Sequence, residues 1–264
     1  MEQKETDKKD KGQLKQYWFV LRRLASREIK RGGSSKKLGQ IWNILTPVIH
    51  MITMTIIFGA AFHRDYREFA PFVFTGTIIF GFFDQSMRGS LNALSGNRTL
   101  LIRTKIPKNL FVLEKIYVSF AHMLFALVGY VVIIIFTGTH ITPHIALVPV
   151  MIFFSVFFLL GIGKVLAVIN VYFADISYFY RIVIRLVFYA SAIFYDAERL
   201  SPAMQQIILF NPIYLAVNIA RTCILQNTFP DPGIWIRLII YSIAVYIAGS
   251  LVFRKGSQDV VAKL

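Results

Sequence analysis

From Ile116 to Phe136 the chain runs without one Asp, Glu, Lys or Arg, and comparable apolar runs recur along its length. About 20 apolar residues are enough to cross the hydrocarbon of a bilayer. Inside that hydrocarbon each backbone N–H and C=O must find its partner within the protein, which leaves helices or a closed barrel. Runs of this length suit helices and not the shorter strands of a barrel. Charge is scarce as well: 16% of the 264 residues are charged and 56% are hydrophobic, where a soluble domain carries about a quarter charged. The expected fold is an all-α integral membrane protein with about six transmembrane helices.

The spans are expected near Ile41 to Phe62, Pro71 to Leu94, Phe111 to Phe136, Ile145 to Val171, Ile182 to Tyr195 and Ile234 to Phe253. Basic residues retreat to islands between them. Twelve of them, from Lys4 to Lys37, precede the first span, and others cluster in 97–110 and at the C-terminal RK. Cytoplasmic loops carry such an excess, so both termini, 97–110 and 172–181 are expected inside. HRDYREF, the turn at His140 and 196–232 then face outward, with Arg64, Arg67 and Arg199 among their few basic residues and no Lys. This distribution assigns the net charge of +15 to topology and anionic lipid headgroups, not to nucleic acid. The long hydrophilic start differs from a cleaved signal peptide, so the first apolar run is expected to stay as an anchor.

MEQKETDKKDKG reads as an irregular polar tail. QLKQYWFVLRRLASREIKR then places Leu14, Tyr17, Trp18, Leu21, Leu24 and Ala25 on one helical face, with Lys15, Arg22, Arg23, Arg27 and Lys30 largely opposite. Such a helix lies in the membrane surface or packs on a soluble partner; Trp18, Arg22, Arg23 and Arg27 mark it as an interface helix. The chain divides into a tail and interface helix over 1–38, a transmembrane domain over 39–256 and a C-terminal tail over 257–264.

Residues 196–233 resist the span pattern. They hold two apolar pieces, each too short for roughly 30 Å of hydrocarbon. Ser201-Pro202 reads as a helix start, and Asn211-Pro212 breaks the pattern between the pieces. Two short helices that dip in and return fit this stretch, making a re-entrant pair between the fifth and sixth spans with its turn at Asn211 and Pro212. An amphipathic hairpin lying on the outer surface is the alternative.

Chemistry is sparse. LLGIGKVLA at 159–167 lacks both the first Gly and the hydroxyl of a phosphate-binding loop; Phe158 and Val165 stand there. Gly161 and Gly163 read instead as close-packing positions between helices. The five His and the single Cys are dispersed, with no metal-ligand spacing and no catalytic constellation. Asp84 and Arg88 have the spacing of a helical ion pair. Phe80, Phe82, Phe83, Tyr178, Tyr189, Phe194 and Tyr195 gather near the second and fifth spans. They serve either as interfacial anchors or as a lining whose ring faces stack on sugars.

The linker NRTLLIRTKIPKNL at 97–110 carries more pattern than a plain loop needs. Asn97 is placed as a helix cap, Leu100, Leu101 and Ile106 as one apolar face, and Pro107 as a stop. Arg98, Arg103, Lys105 and Lys108 add charge. It serves either to fix topology or to dock a partner.

With these features in hand, SREIKRGGSSKKLGQIWNILTPVIHMITMTIIFG, FVFTGTIIFGFFDQSMRGSLNALSGNRTLLIRTKIPKNLFVLEKI and FADISYFYRIVIRLVFYASAIFYDAERLSPAMQQIILFNPIYLAVNIARTCIL resemble the membrane subunits of ABC-2-type exporters of lipid-linked polysaccharides. That group exports O-antigens, capsules and teichoic acids. GSLVFRKGSQDVVAKL resembles the family's C-terminus. Ala174-Asp175 departs from the Arg-Asp that the family usually carries. The resemblance implies a permease subunit without catalysis of its own, in the bacterial cytoplasmic membrane. It implies a second copy of the chain, a polyprenyl-linked glycan as cargo, and a separate nucleotide-binding ATPase that holds ATP and Mg. It also implies that Asn97, Arg98, Leu100, Leu101, Arg103, Lys105, Ile106 and Pro107 form the element that couples to that ATPase. The residues leave open an ABC-2 permease for a drug or small lipid, an ion-coupled carrier, or a membrane-embedded glycolipid enzyme.

Overall fold

A computed structural model describes residues 2–33, 41–104, 106–139, 143–226 and 228–258. Lys105, the joint at 34–40, the turn at 140–142 and the tail 259–264 lie outside the described residues. Among those described, all regular structure is helical. The order is α1 Glu2–Gly33, α2 Ile41–Phe62, α3 Tyr66–Leu91, α4 Arg98–Arg103, α5 Asn109–Thr137, α6 Val148–Tyr172, α7 Ile176–Tyr189, α8 Pro202–Ile208, α9 Pro212–Arg221 and α10 Pro232–Gly256.

Three of these helices are long and apolar enough to cross a membrane: Asn109–Thr137, Pro143–Tyr172 (α6 with its leading turn) and Pro232–Gly256. α8 meets α9 and its continuation to Gln226 at 98°, so the break at Asn211-Pro212 is real. α2 and α3, at 22 and 26 residues, reach about 33 and 39 Å at 1.5 Å per residue. α7 differs from expectation. It begins at Ile176, takes in most of the stretch expected as a link, and ends at Tyr189. At 14 residues it is only about 21 Å long.

Two other expectations give way. The polar tail is the first part of α1, continuous from Glu2. Its sequence holds no Pro and spaces acid before base at Glu5-Lys9 and Asp7-Lys11, which favours helix. HRDYREF is a turn only to Asp65, whose carboxylate accepts from the Arg67 N–H at 2.9 Å and starts α3 as an N-cap.

The bundle is built around α3, buried along most of its length against α2, α5, α6 and α9. Thr75 and the Tyr130 hydroxyl bond at 2.6 Å and join it to α5. Outside, the polarity is that of a membrane protein: Ile56, Ile135, Phe136, Phe153, Ile182, Leu186 and Ile247 are all more than half exposed. α1 rests on α5 through buried Leu21 and Ala25, a Glu28–Lys115 ion pair of 2.8 Å and a Trp18–Tyr117 edge contact.

The closest helix contact is α6 on α10. A Cβ on Gly161 would strike the Val245 carbonyl, and one on Gly249 would strike the carbonyl of Gly161. Lipid tails are as apolar as Leu, so helices in a membrane associate through such close packing. Gly163 is close-packed too, but against the side chains of Ser90 and Val112. Backbone carbonyls cannot move aside as side-chain ends can. Gly161→Ala and Gly249→Ala are therefore expected to destabilise the bundle by about 1–3 kcal/mol each, read as a lowered Tm in detergent. Gly81→Ala, with open space in front of it, should leave Tm in place.

Candidate functional site

The break between α7 and α9 organises one end of the bundle. α7 stops at Tyr189, and Ala192 takes a left-handed φ of 50°, a conformation that disfavours a side chain. The turn is held from below. Arg221, buried at the end of α9, donates from Nη1 to the Ala192 carbonyl at 2.7 Å and from Nη2 to the Ile193 carbonyl at 2.7 Å. Its Nε donates to the Phe72 carbonyl on α3 at 3.2 Å, and its guanidinium lies 3.5 Å from the Phe72 ring centroid. Gly76 makes room, since a Cβ there would sit 2.7 Å from Nη2. One planar cation thus satisfies carbonyls that the broken helix leaves open.

Asn211 works from the other side. Its Oδ1 accepts from the Ile213 N–H at 3.0 Å and caps α9. Its Nδ2 donates to the Ala190 carbonyl at 3.1 Å and to Ser191 Oγ at 2.9 Å. Pro212 follows as the first helical residue, and Ser201 caps α8 in the same style. Arg64 pairs with Asp196 and ties the α2–α3 turn to the segment after the break. Beside this bent pair, α6, α7 and α8 with the residues after it line a cavity of about 640 Å³, Phe158, Ile162, Val183, Tyr195, Ile207 and Phe210 among them.

The aromatic residues divide into two groups. Phe80, Phe82, Phe83 and Phe194 are buried, so within this chain they form core and not an open lining. The reason is the central position of α3, which is covered on both sides. Phe80 packs edge-on to Phe188 at 4.8 Å, Phe188 to Phe194 at 5.3 Å, and Phe194 stacks on Phe58 at 4.5 Å. Phe82 and Phe83 turn instead to Phe120 and Phe158. Tyr178 and Tyr189 are exposed on α7, while Tyr195 lies at the cavity and donates to the Tyr189 carbonyl at 2.7 Å. Tyr178, Arg181, Arg185 and Tyr189 make one exposed stripe along α7, with Arg181 5.1 Å from the Tyr178 ring.

At the other end of the bundle the linker folds as the short helix α4. Asn97 does not cap it: its Nδ2 donates back to the Ala93 carbonyl at 3.0 Å, and no side-chain cap forms. Leu101 is buried, and Leu100 and Ile106 pack on the same core. The apolar face therefore anchors the linker to its own bundle. The exposed face carries Arg98, Thr99, Ile102 and Arg103. Pro107 does not stop α4, which ends at Arg103; its carbonyl accepts from Leu110 N–H at 2.9 Å and opens α5. Lys105 lies outside the described residues. On α1, Arg22, Arg23 and Arg27 are exposed, and Trp18 is more than half exposed beside Tyr117.

Two contacts that the sequence did not announce join this end to α7. Asn170 donates to Ser95 Oγ at 3.3 Å and accepts from Ser177 Oγ at 2.9 Å, so one amide bridges the start of the linker and the first turn of α7. Tyr180 on α7 donates to Asp84 Oδ1 at 2.9 Å, while Arg88 donates to the same carboxylate at 2.6 Å. The Asp84–Arg88 spacing was legible; the Tyr180 partner, 96 residues away, was not.

The family model described as ABC-2 type transporter matches residues 20–225, and the chain belongs to that family. Among curated proteins it is similar to the O-antigen export system permease protein RfbA of Myxococcus xanthus, at 24% identity over 94% of this chain and 96% of that protein. The RfbA protein of Klebsiella pneumoniae is 23% identical over 88% and 90% of the two chains. The polysialic acid transport protein KpsM of Escherichia coli is 22% identical over 88% and 91%.

Removing the clamp tests its weight. Arg221→Gln is expected to cost about 3 kcal/mol or more, because buried carbonyls lose their donors. Arg221→Lys keeps the charge but cannot span three carbonyls with a planar fork, so most of that loss should persist. Thermal unfolding in detergent reads both, and an unchanged Tm in Arg221→Gln contradicts the clamp.

Proposed function

We propose that the chain is the transmembrane permease subunit of an ATP-driven exporter that moves a lipid-linked polysaccharide, or a teichoic-acid-like polymer, across the bacterial cytoplasmic membrane. The observation that carries this reading is similarity along nearly the full length of an export permease and a transport protein named for two different glycans, O-antigen and polysialic acid. In this reading the chain crosses the membrane about six times with both termini cytoplasmic. Two copies form the pathway, and a separate ATPase holds ATP and Mg.

Several features support these assignments. Arg181 and Arg185 stand exposed on a helix at membrane depth, where a cation facing lipid is costly. A second copy of the chain, with a wet path between the two, gives that stripe a tolerable environment. Tyr178 and Tyr189 at its ends offer ring faces to passing sugars. The apolar cavity beside the bent pair suits a polyprenyl tail and leaves the polar chain to the stripe.

Coupling to the ATPase belongs to the exposed side of α4. Arg98, Thr99, Ile102 and Arg103 dock, while Leu100, Leu101 and Ile106 carry the displacement into the bundle. The Ser95–Asn170–Ser177 bridge then passes it to α7. The pair Arg98→Glu and Arg103→Glu reverses the charge of the docking face without touching the buried side. In mild detergent the wild-type chain should co-purify with an ATPase subunit in stoichiometric amount. The double variant should lose about tenfold or more of that subunit and stop export while still reaching the membrane. Co-purification and export unchanged in the variant would remove the coupling assignment.

A further inference from the structure

Lys164 is the only charged residue in the apolar run of α6, and its side chain is buried beside α10. Its Nζ donates to Ser250 Oγ at 2.9 Å and lies 4.3 Å from the Tyr246 ring centroid. The Ser250 hydroxyl spends its own proton on the Tyr246 carbonyl at 2.7 Å. A hydroxyl and a ring are thin compensation for an ammonium at this depth.

In front of it opens a cavity of about 480 Å³, lined also by Lys108, Asn109, Arg254, Ser257 and Gln258. Among the described residues no carboxylate lines it. Lys108 donates to the Ser257 carbonyl, which joins the exit of the linker to the end of α10. The lining is therefore rich in donors and cations and short of acceptors.

The cavity also adjoins an exposed apolar stripe. Exposed Ile236, Ile240, Ile243, Ile247 and Leu251 run down α10 at helical spacing. One turn further on the same stripe stands Arg254, at the cavity. Lys164 is eight residues from the end of α6, roughly 12 Å in, and its Nζ sits beside Ser250, one turn before Arg254 on α10.

The geometry points to a binding site for the phosphate of an anionic phospholipid, with the headgroup among Lys108, Lys164 and Arg254 and an acyl chain along the α10 stripe. Inorganic phosphate shares the phosphate chemistry but cannot use the aliphatic stripe. The site lies on the face of α6 and α10, away from the cavity beside the bent pair, and does not depend on the export reading. An occupant there bridges the linker exit, α6 and α10.

The test uses the full-length chain in detergent supplemented with phosphatidylglycerol or phosphatidylcholine, with bound lipid counted by native mass spectrometry. Wild type should retain phosphatidylglycerol preferentially. The triple variant Lys108→Gln, Lys164→Gln, Arg254→Gln should retain it on the order of tenfold less or lower, since each basic residue contributes roughly a factor of five near an anionic surface. Arg254→Gln alone, at an exposed side chain, should lose several-fold and keeps the test open if the triple variant fails to fold. Arg67→Gln removes an exposed charge at the start of α3, far from the cavity in the fold, and should leave retention in place. Equal loss in that control, no loss in the cavity variants, or displacement by millimolar inorganic phosphate each overturns the site. So does a large gain in Asp259→Asn, which would mean that the chain's own carboxylate fills the cavity.

Discussion

Hydrocarbon offers no partner to an open backbone group, so a helix that stops inside a membrane protein must be repaired by something at that spot. Here the repair is Arg221. Its guanidinium binds the carbonyls of Ala192, Ile193 and Phe72 and lies on the Phe72 ring. The left-handed Ala192 and the 98° bend beyond it are features that a continuous span never has to satisfy. The Arg221 clamp lets the chain stop α7 early, turn, and continue as two short helices bent against each other, and the cavity lies beside that bend.

Other contacts follow from the same arrangement. Asn211 holds the entry of α9 to the end of α7, which leaves the bent pair little freedom to slide. α7 itself is held near its start by Tyr180 on Asp84 and by Ser177 on Asn170. Those bonds sit at the end that carries α4. α7 is thus a short helix fixed at both ends, with Tyr178, Arg181, Arg185 and Tyr189 on its free side, and it is the element through which the proposed coupling would run.

Much of the fold was legible because apolar length and charge islands report directly on membrane helices. The first, third and sixth spans fall within a few residues of α2, α5 and α10, and the break at Asn211-Pro212 follows from proline's effect on its neighbour. α7 was placed six residues late because its amphipathic first turns, ISYFYR, read as a link. The aromatic cluster was visible, but whether a ring lines a path or packs in a core depends on what covers it. Phe80, Phe82 and Phe83 lie on the central helix and are covered. At the linker, the pattern of Leu100, Leu101 and Ile106 was real, yet it faces inward. Arg221 appeared in the sequence only as a cation in an apolar piece, and its three carbonyl partners are 28 to 149 residues away, beyond the reach of local pattern.

The most direct test of the central claim is vectorial movement. The full chain and its co-purified ATPase are reconstituted in vesicles with the ATPase facing out and a polyprenyl-linked glycan in the outer leaflet. Protection of the glycan from an added glycosidase is then followed over time. ATP-dependent protection, absent with a non-hydrolysable analogue and absent without the ATPase, is the predicted result. Protection that ignores ATP and follows an imposed ion gradient would contradict the account.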